Sequence, residues 1–267
     1  MIGGAIKEGH KIGDGNQLTP DAMRNAGLIK AIKDLGWLIK DKGNISVESL
    51  KGRNYGPDYG KSIININQLG DMLHLIHKKN FDAADDKAFA LNIGGDHSIS
   101  TGSISGLKSY YPNMKVLWVS AHDDCIIPEF TKEKYRNYHG MSASHLFGWI
   151  SDSMVPNFQW LPKPVLKNNE LCYIGIRDLD GDERKHLKNF GIKYYTPDHI
   201  SRFGIGKVME KALNYLEADK NPIYLSLDIT ALDPSEAPGT ATKCKEGLTY
   251  REAMYLMKRA CFIYIIY

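Results

Sequence analysis

Three short polar stretches carry the residues best able to do chemistry: GGDHS (94–98), SAHDDC (120–125) and DITALDPSEAPGT (228–240). Together they offer His97, His122, Asp124 and Asp228, two imidazoles and two carboxylates. A mixed nitrogen and oxygen donor set of this kind suits manganese, zinc or iron rather than a thiolate-loving metal. A metal held this way lowers the pKa of a bound water until it is a nucleophile at neutral pH. The competing reading makes each histidine a hydrogen-bonded loop residue. Asp96 and Asp123 stand beside the ligand candidates and read as turn or supporting residues.

These stretches need a scaffold that brings distant segments together. Each follows a nearly continuous apolar run, at 88–93, 115–120 and 222–227, and similar runs lie at 171–176 and 192–195. Unbroken apolarity, rather than alternation, marks strands of a parallel sheet covered on both faces. Thr19-Pro20-Asp21 is a helix start with proline at the first helical position, and apolar residues then recur through Leu35. Further helices are predicted near 62–79, 98–111, 182–190, 206–218 and 249–260. Strands alternating with helices imply a three-layer αβα fold with a mostly parallel sheet, a single domain over 1–267. Open sheets of this kind gather their sites outside the carboxyl ends of the strands, so His97, His122, Asp124 and Asp228 are expected to converge there. The terminal run ACFIYIIY reads as a strand and VPNFQWLPKP (155–164) as a loop.

Composition narrows the class. Apolar residues make up 43% of the chain, enough for a sizeable core, and a net charge of +3 spread along it argues against a nucleic-acid partner. The longest apolar run falls far short of the ~20 residues that cross a bilayer, so no membrane partner is expected. Four cysteines without a C-x-x-C pair suit reduced thiols in the cytoplasm.

Six blocks in order, GGDHSISTGSISG, WVSAHDDC, NYHGM, YIGIRDLD, SLDITALDPSEAPGT and GLTYREA, resemble arginase of the ureohydrolase superfamily. The resemblance implies hydrolysis of a guanidino substrate, L-arginine, to ornithine and urea by a hydroxide bridging two manganese ions. Matched block by block, it gives His97, His122, Asp124 and Asp228 as metal ligands. His139, Asp124 and Glu252 fall at catalytic positions, and Asn137, Asp180 and Thr242 at positions that hold the substrate. It also implies a homo-oligomer, the family's trimer.

The pattern breaks at defined places. Ser120 stands where the family has a bridging aspartate and Thr230 where it has another metal-binding aspartate. Two dications against four carboxylates and a hydroxide carry one net negative charge; against Asp124, Asp228 and hydroxide they carry one net positive charge. Like charges ~3.5–4 Å apart need bridging anions between them. At most one manganese ion is therefore expected, on His97, Asp124 and Asp228, with weak or no turnover. Ile126 and Tyr135 replace polar residues that grip the substrate carboxylate. The chain stops soon after Glu252, which is expected to impair the trimer. The alternative is a non-catalytic paralogue that serves as a ligand-binding or partner-subunit scaffold.

Overall fold

A computed structural model describes residues 1–9, 15–55, 63–129, 137–240 and 242–261. Tyr135 and the terminal run 262–267 lie outside the described residues. The chain groups into two compact units, Met1–Tyr110 with Ile127–Lys163, and Tyr111–Ile126 with Pro164–Tyr267.

In the first unit, strands β1 (Ile2–Gly4), β2 (Asn44–Ile45) and β3 (Asn92–Gly94) pair in parallel in the order β2-β1-β3. Its helices are α1 (Thr19–Asn25), α2 (Leu28–Asp34), α3 (Ile66–Asp85), α4 (Ile99–Tyr110) and α5 (Ser142–Leu146). The helix expected to run from Thr19 to Leu35 is two helices, because Gly27 takes φ 91° between them. Pro20 begins α1, as its sequence signal requires. The run at 88–93 contributes only β3 to the sheet, which shifts the strand to 92–94.

The GSISG segment explains how α4 sits so close to α3. A side chain on Gly102 would put its Cβ 2.6 Å from the Leu73 carbonyl, and one on Gly106 2.2 Å from the His77 carbonyl. Only hydrogens fit there, so the helix backbones approach directly.

Beside this contact lies a ladder of rings. His74 stacks on Trp160 at 4.9 Å, Trp160 on Phe158 at 5.7 Å, and Phe158 packs against His145 at 4.7 Å and Tyr138 at 5.3 Å. His145 is fully buried, and burial pushes its pKa down to about 3; burial likewise takes His77 down to about 4. Both histidines fold neutral, whereas an unfolded histidine titrates near 6.5. Their contribution is fully present above pH ~6.5 and is lost as pH falls towards about 4 for His77 and about 3 for His145, because in that range only the unfolded chain takes up the proton. Between pH 7 and pH 5, His145 alone is expected to cost roughly 2 kcal/mol of stability. Urea denaturation at the two pH values measures this, and His145→Gln should flatten the difference.

The second unit holds β4 (Lys115–Val119), β5 (Leu171–Ile174), β6 (Lys193–Tyr195) and β7 (Ile223–Leu227), all parallel, in the order β6-β5-β4-β7. Helices α6 (Gly181–Asn189), α7 (Pro197–Tyr215) and α8 (Tyr250–Cys261) accompany them. Register puts Leu117 beside Cys172 and Leu225, and Val119 beside Ile174 and Leu227. That face packs on Val208, Met209, Ala212 and Leu213 of α7 and on Ala253 and Leu256 of α8. The opposite face carries Trp118 in register with Tyr173 and Ser226. Both faces of β4 are thus buried, the physical cause of its unbroken apolar sequence.

α7 is broken at Gly204, which takes φ 73° inside it: the part beyond lies where a helix was expected near 206, and the part from Pro197 precedes it. Its start is set by Thr196, whose N–H and hydroxyl both lie on His199 Nδ1, and by Pro197 in the first turn. α8 matches the helix expected near 249–260 and runs one residue further, so Ala260 and Cys261, which the strand reading of the terminal run also claimed, are helical.

Candidate active site

The second unit carries Ser120, His122, Asp124, Asp228 and Thr230. Ser120 immediately follows β4, and its N–H still pairs with the Ile174 carbonyl at 3.2 Å, so the sheet fixes its position. Asp228 follows β7, held by its N–H to the Val119 carbonyl at 2.9 Å. Their adjacency arises from the β4–β7 pairing, as the strand-end argument expects.

The Ser120 and Thr230 hydroxyls both turn onto the Asp228 carboxylate. Ser120 Oγ donates to Asp228 Oδ2 at 3.0 Å and Thr230 Oγ1 donates to the same oxygen at 2.6 Å. Thr230 N–H takes Oδ1 at 2.9 Å, so Asp228 also caps its own short turn. Ser120 Oγ in turn accepts the His122 N–H at 3.1 Å. A hydroxyl is neutral at pH 7 and a poor bridge between cations, so this cluster satisfies Asp228 by hydrogen bonds where a dinuclear centre would need carboxylates. Among the described residues, no group of three or more His, Cys, Asp and Glu side chains is placed to hold a metal ion. The donor set does not fit a two-metal centre.

His122 presents Nε2 to Asp178 Oδ2 at 3.3 Å, a carboxylate that the sequence motif contains but that had no expected role. Asp124 is buried and takes φ 50°, the left-handed conformation that aspartate tolerates better than most residues. Its two neighbours are tied to each other and to Tyr173. Asp123 Oδ1 accepts the Cys125 N–H at 3.1 Å, and the Tyr173 hydroxyl donates to the Asp123 carbonyl at 2.7 Å. With its single proton so used, Tyr173 oxygen accepts from the Cys125 thiol at 3.2 Å. Asp123 and Cys125 are therefore committed to Tyr173, on the inner side of the strand end. Burial first, and the Glu183 carboxylate second, push Asp123 well above the usual carboxylate range, and burial raises Glu183 as well.

Glu183 belongs to the start of α6. Asp180 Oδ1 accepts the N–H groups of Asp182 at 2.8 Å and Glu183 at 2.7 Å, and Glu183 Oε2 accepts the Asp180 N–H at 2.7 Å. This reciprocal cap explains Asp180 structurally while leaving its side chain exposed. Asp180→Ala is expected to cost about 1 kcal/mol of stability, measured by urea denaturation. Asp180→Ser, which keeps a capping oxygen, should recover most of it.

Arg177, in the same motif, was not expected to matter and is the main tie of this unit's loops. Its guanidinium donates to the carbonyls of Thr230 at 2.9 Å, Cys244 at 2.8 Å and Lys245 at 2.8 Å. A strand-end arginine in a run of acidic residues was the available signal. Glu252 caps α8, accepting from Thr249 N–H and Oγ1, both at 2.9 Å. It also lines a cavity of about 410 Å³ with Arg177, Asp198 and Glu246. Thr242 is exposed, with its carbonyl accepting from Thr240 Oγ1 at 3.3 Å.

The first unit carries His97, His139 and Asn137. His97 lies in the turn between β3 and α4, its carbonyl accepting the Ser100 hydroxyl at 2.7 Å. Asp96 beside it is buried, with Oδ2 on the Gly9 N–H at 2.9 Å and Oδ1 on the Ser98 N–H at 3.0 Å; burial raises its pKa. Asn137 is the residue before the short turn Tyr138–Met141, and His139 in that turn reaches the Gly9 carbonyl with Nδ1 at 2.9 Å.

No helix among the described residues is long and apolar enough to cross a membrane. An arginase from Plasmodium berghei is 36% identical over 275 residues, covering 97% of this chain and 77% of that protein. Human arginase-1 is 37% identical over 261 residues, covering 96% of this chain and 78% of that protein. Among solved structures, arginase from Bacillus cereus superposes with a TM-score of 0.84 at 32% identity, over 98% of this chain and 86% of that one. These likenesses support the three-layer α/β class with parallel sheets. The Arginase family description matches residues 1–265, and with the ordered strand-end motifs this makes the chain a member of the arginase family.

Proposed function

We propose that this protein is an arginase-type ureohydrolase with a depleted metal centre, acting weakly on a guanidino substrate such as L-arginine. The observation that carries the reading is the capture of Asp228 Oδ2 by the Ser120 and Thr230 hydroxyls at 3.0 and 2.6 Å. The two positions that should add negative charge around the ions add hydroxyl donors instead.

What remains is a hydrolase framework with reduced charge. His97, Asp124 and Asp228 are the donors proposed to hold at most one manganese ion, and His122 is tied to Asp178. His139 is the candidate for proton transfer. Asp180, Asn137 and Thr242 are proposed to meet the amino-acid end of the substrate and Glu252 its guanidinium. Ile126 is buried and apolar where a polar grip on the substrate carboxylate is expected, which costs roughly 1–3 kcal/mol for the unpaired charge. The same hydroxyl cluster favours a second reading, a non-catalytic scaffold. The protein is proposed to work in the cytoplasm, without nucleic-acid or membrane partners, as a homo-oligomer.

Metal analysis and urea release from L-arginine with excess manganese separate the two. The weak enzyme should hold up to one manganese per chain and turn over far below the ~10 s⁻¹ of ordinary enzymes. Turnover at or above that rate would overturn the depleted-site reading, and absence of both metal and urea would support the scaffold.

A further inference from the structure

Gly9 joins two parts of the first unit that the sequence holds far apart. Its N–H donates to Asp96 Oδ2 at 2.9 Å, and Asp96 precedes the candidate ligand His97. Its carbonyl accepts both the His139 backbone N–H at 3.1 Å and the His139 ring Nδ1 at 2.9 Å. No other residue type fits in this place. A Cβ on Gly9 would lie 2.0 Å from Ser98 Oγ and 2.8 Å from Asp96 Oδ1.

The loop bearing His139 is pinned from its other side as well. Tyr138 is fully buried, its hydroxyl 2.6 Å from His145 Nδ1 and 3.2 Å from Thr101 Oγ1. The backbone on one side of His139 is thus anchored in the core, and the ring is steered by Gly9.

The consequence is chemical. A carbonyl oxygen only accepts, so the nitrogen facing it must carry the proton, and the neutral ring then keeps its basic lone pair on Nε2. We propose that Gly9 is a positioning residue for His139, locking the ring in the Nδ1–H tautomer so that Nε2 is its proton acceptor, with Asp96 clamping Gly9 in register. The name of proton-transfer residue for His139 rests on the function proposed above; the tautomer does not.

The test is ¹⁵N NMR of the full chain labelled at histidine, at a pH where His139 is neutral, with the His139 signals assigned by His139→Gln. A protonated-type Nδ1 and an unprotonated-type Nε2 are expected; the reverse pattern in the parent overturns the proposal. Gly9→Ala should shift His139 towards the Nε2–H form. If Gly9→Ala does not fold, Gly9→Ala with Ser98→Ala removes the nearest clashing atom. Asp96→Asn, which leaves one acceptor oxygen for two N–H donors, loosens Gly9 without adding an atom. An unchanged tautomer in every folded variant overturns the clamp. The expected tautomer without urea release supports this proposal while counting against the hydrolase reading.

Discussion

The variant carrying both Ser120→Asp and Thr230→Asp is expected to bind two manganese ions per chain and to release urea from L-arginine, where the parent is expected to bind at most one. Both hydroxyls already lie on Asp228 Oδ2, at 3.0 and 2.6 Å, so carboxylates in their place would crowd the same small volume. Without metal, three like charges there repel one another. With two dications they would supply the negative charge that the balance lacks. The gain in rate is expected to be on the order of 100-fold or more, since metal-centred charge stabilisation is worth several kcal/mol and each 1.36 kcal/mol is tenfold.

Ser120→Asp alone should raise manganese affinity with little turnover. Stability gives an independent reading, because a tightly bound ion stabilises only the folded chain, by about 4 kcal/mol at 1,000 times its Kd. The double variant should therefore melt lower than the parent in chelator and higher in manganese. Fewer than two ions per chain, together with no urea above the parent, would show that Ser120 and Thr230 are not what silences the site.

Trp118→Ala is expected to destabilise the protein by roughly 3–5 kcal/mol, the cost of removing a large buried side chain and leaving a cavity. Trp118 is fully buried on β4, between Tyr173 on β5 and Ser226 on β7 in register, with its ring 6.1 Å from Tyr173 in a T-shaped contact. It is also two residues before Ser120, on the same side of the strand. Loosening it should weaken any metal binding at Asp228, on which the Ser120 hydroxyl rests, as well as the fold. Trp118→Phe, which keeps an aromatic ring against Tyr173, should recover more than half of the loss. Urea denaturation of the three proteins measures both, and a loss below about 1 kcal/mol for the alanine variant would contradict the burial argument.

The sequence by itself determined the class of the fold and the positions of its chemistry. Apolar runs with no alternation read as strands covered on both faces, and β4, β5 and β7 lie where three of those runs are. The carboxyl ends of β4 and β7 then had to bring Ser120 and Asp228 together, although 108 residues separate them. That Ser120 and Thr230 bring no negative charge was also legible, because a side chain's charge is a property of its type. The tertiary structure alone decided what the remaining polar groups do. Nothing local to His122 announces Asp178, nothing local to Arg177 announces the carbonyls it ties, and His139 meets Gly9 across 130 residues. Periodicity reports which face of an element is buried, so it reaches only as far as the element. A hydrogen bond between loops follows from how the finished sheets carry those loops into contact. That is why the strand ends could be read from the chain, and the partners waiting at them could not.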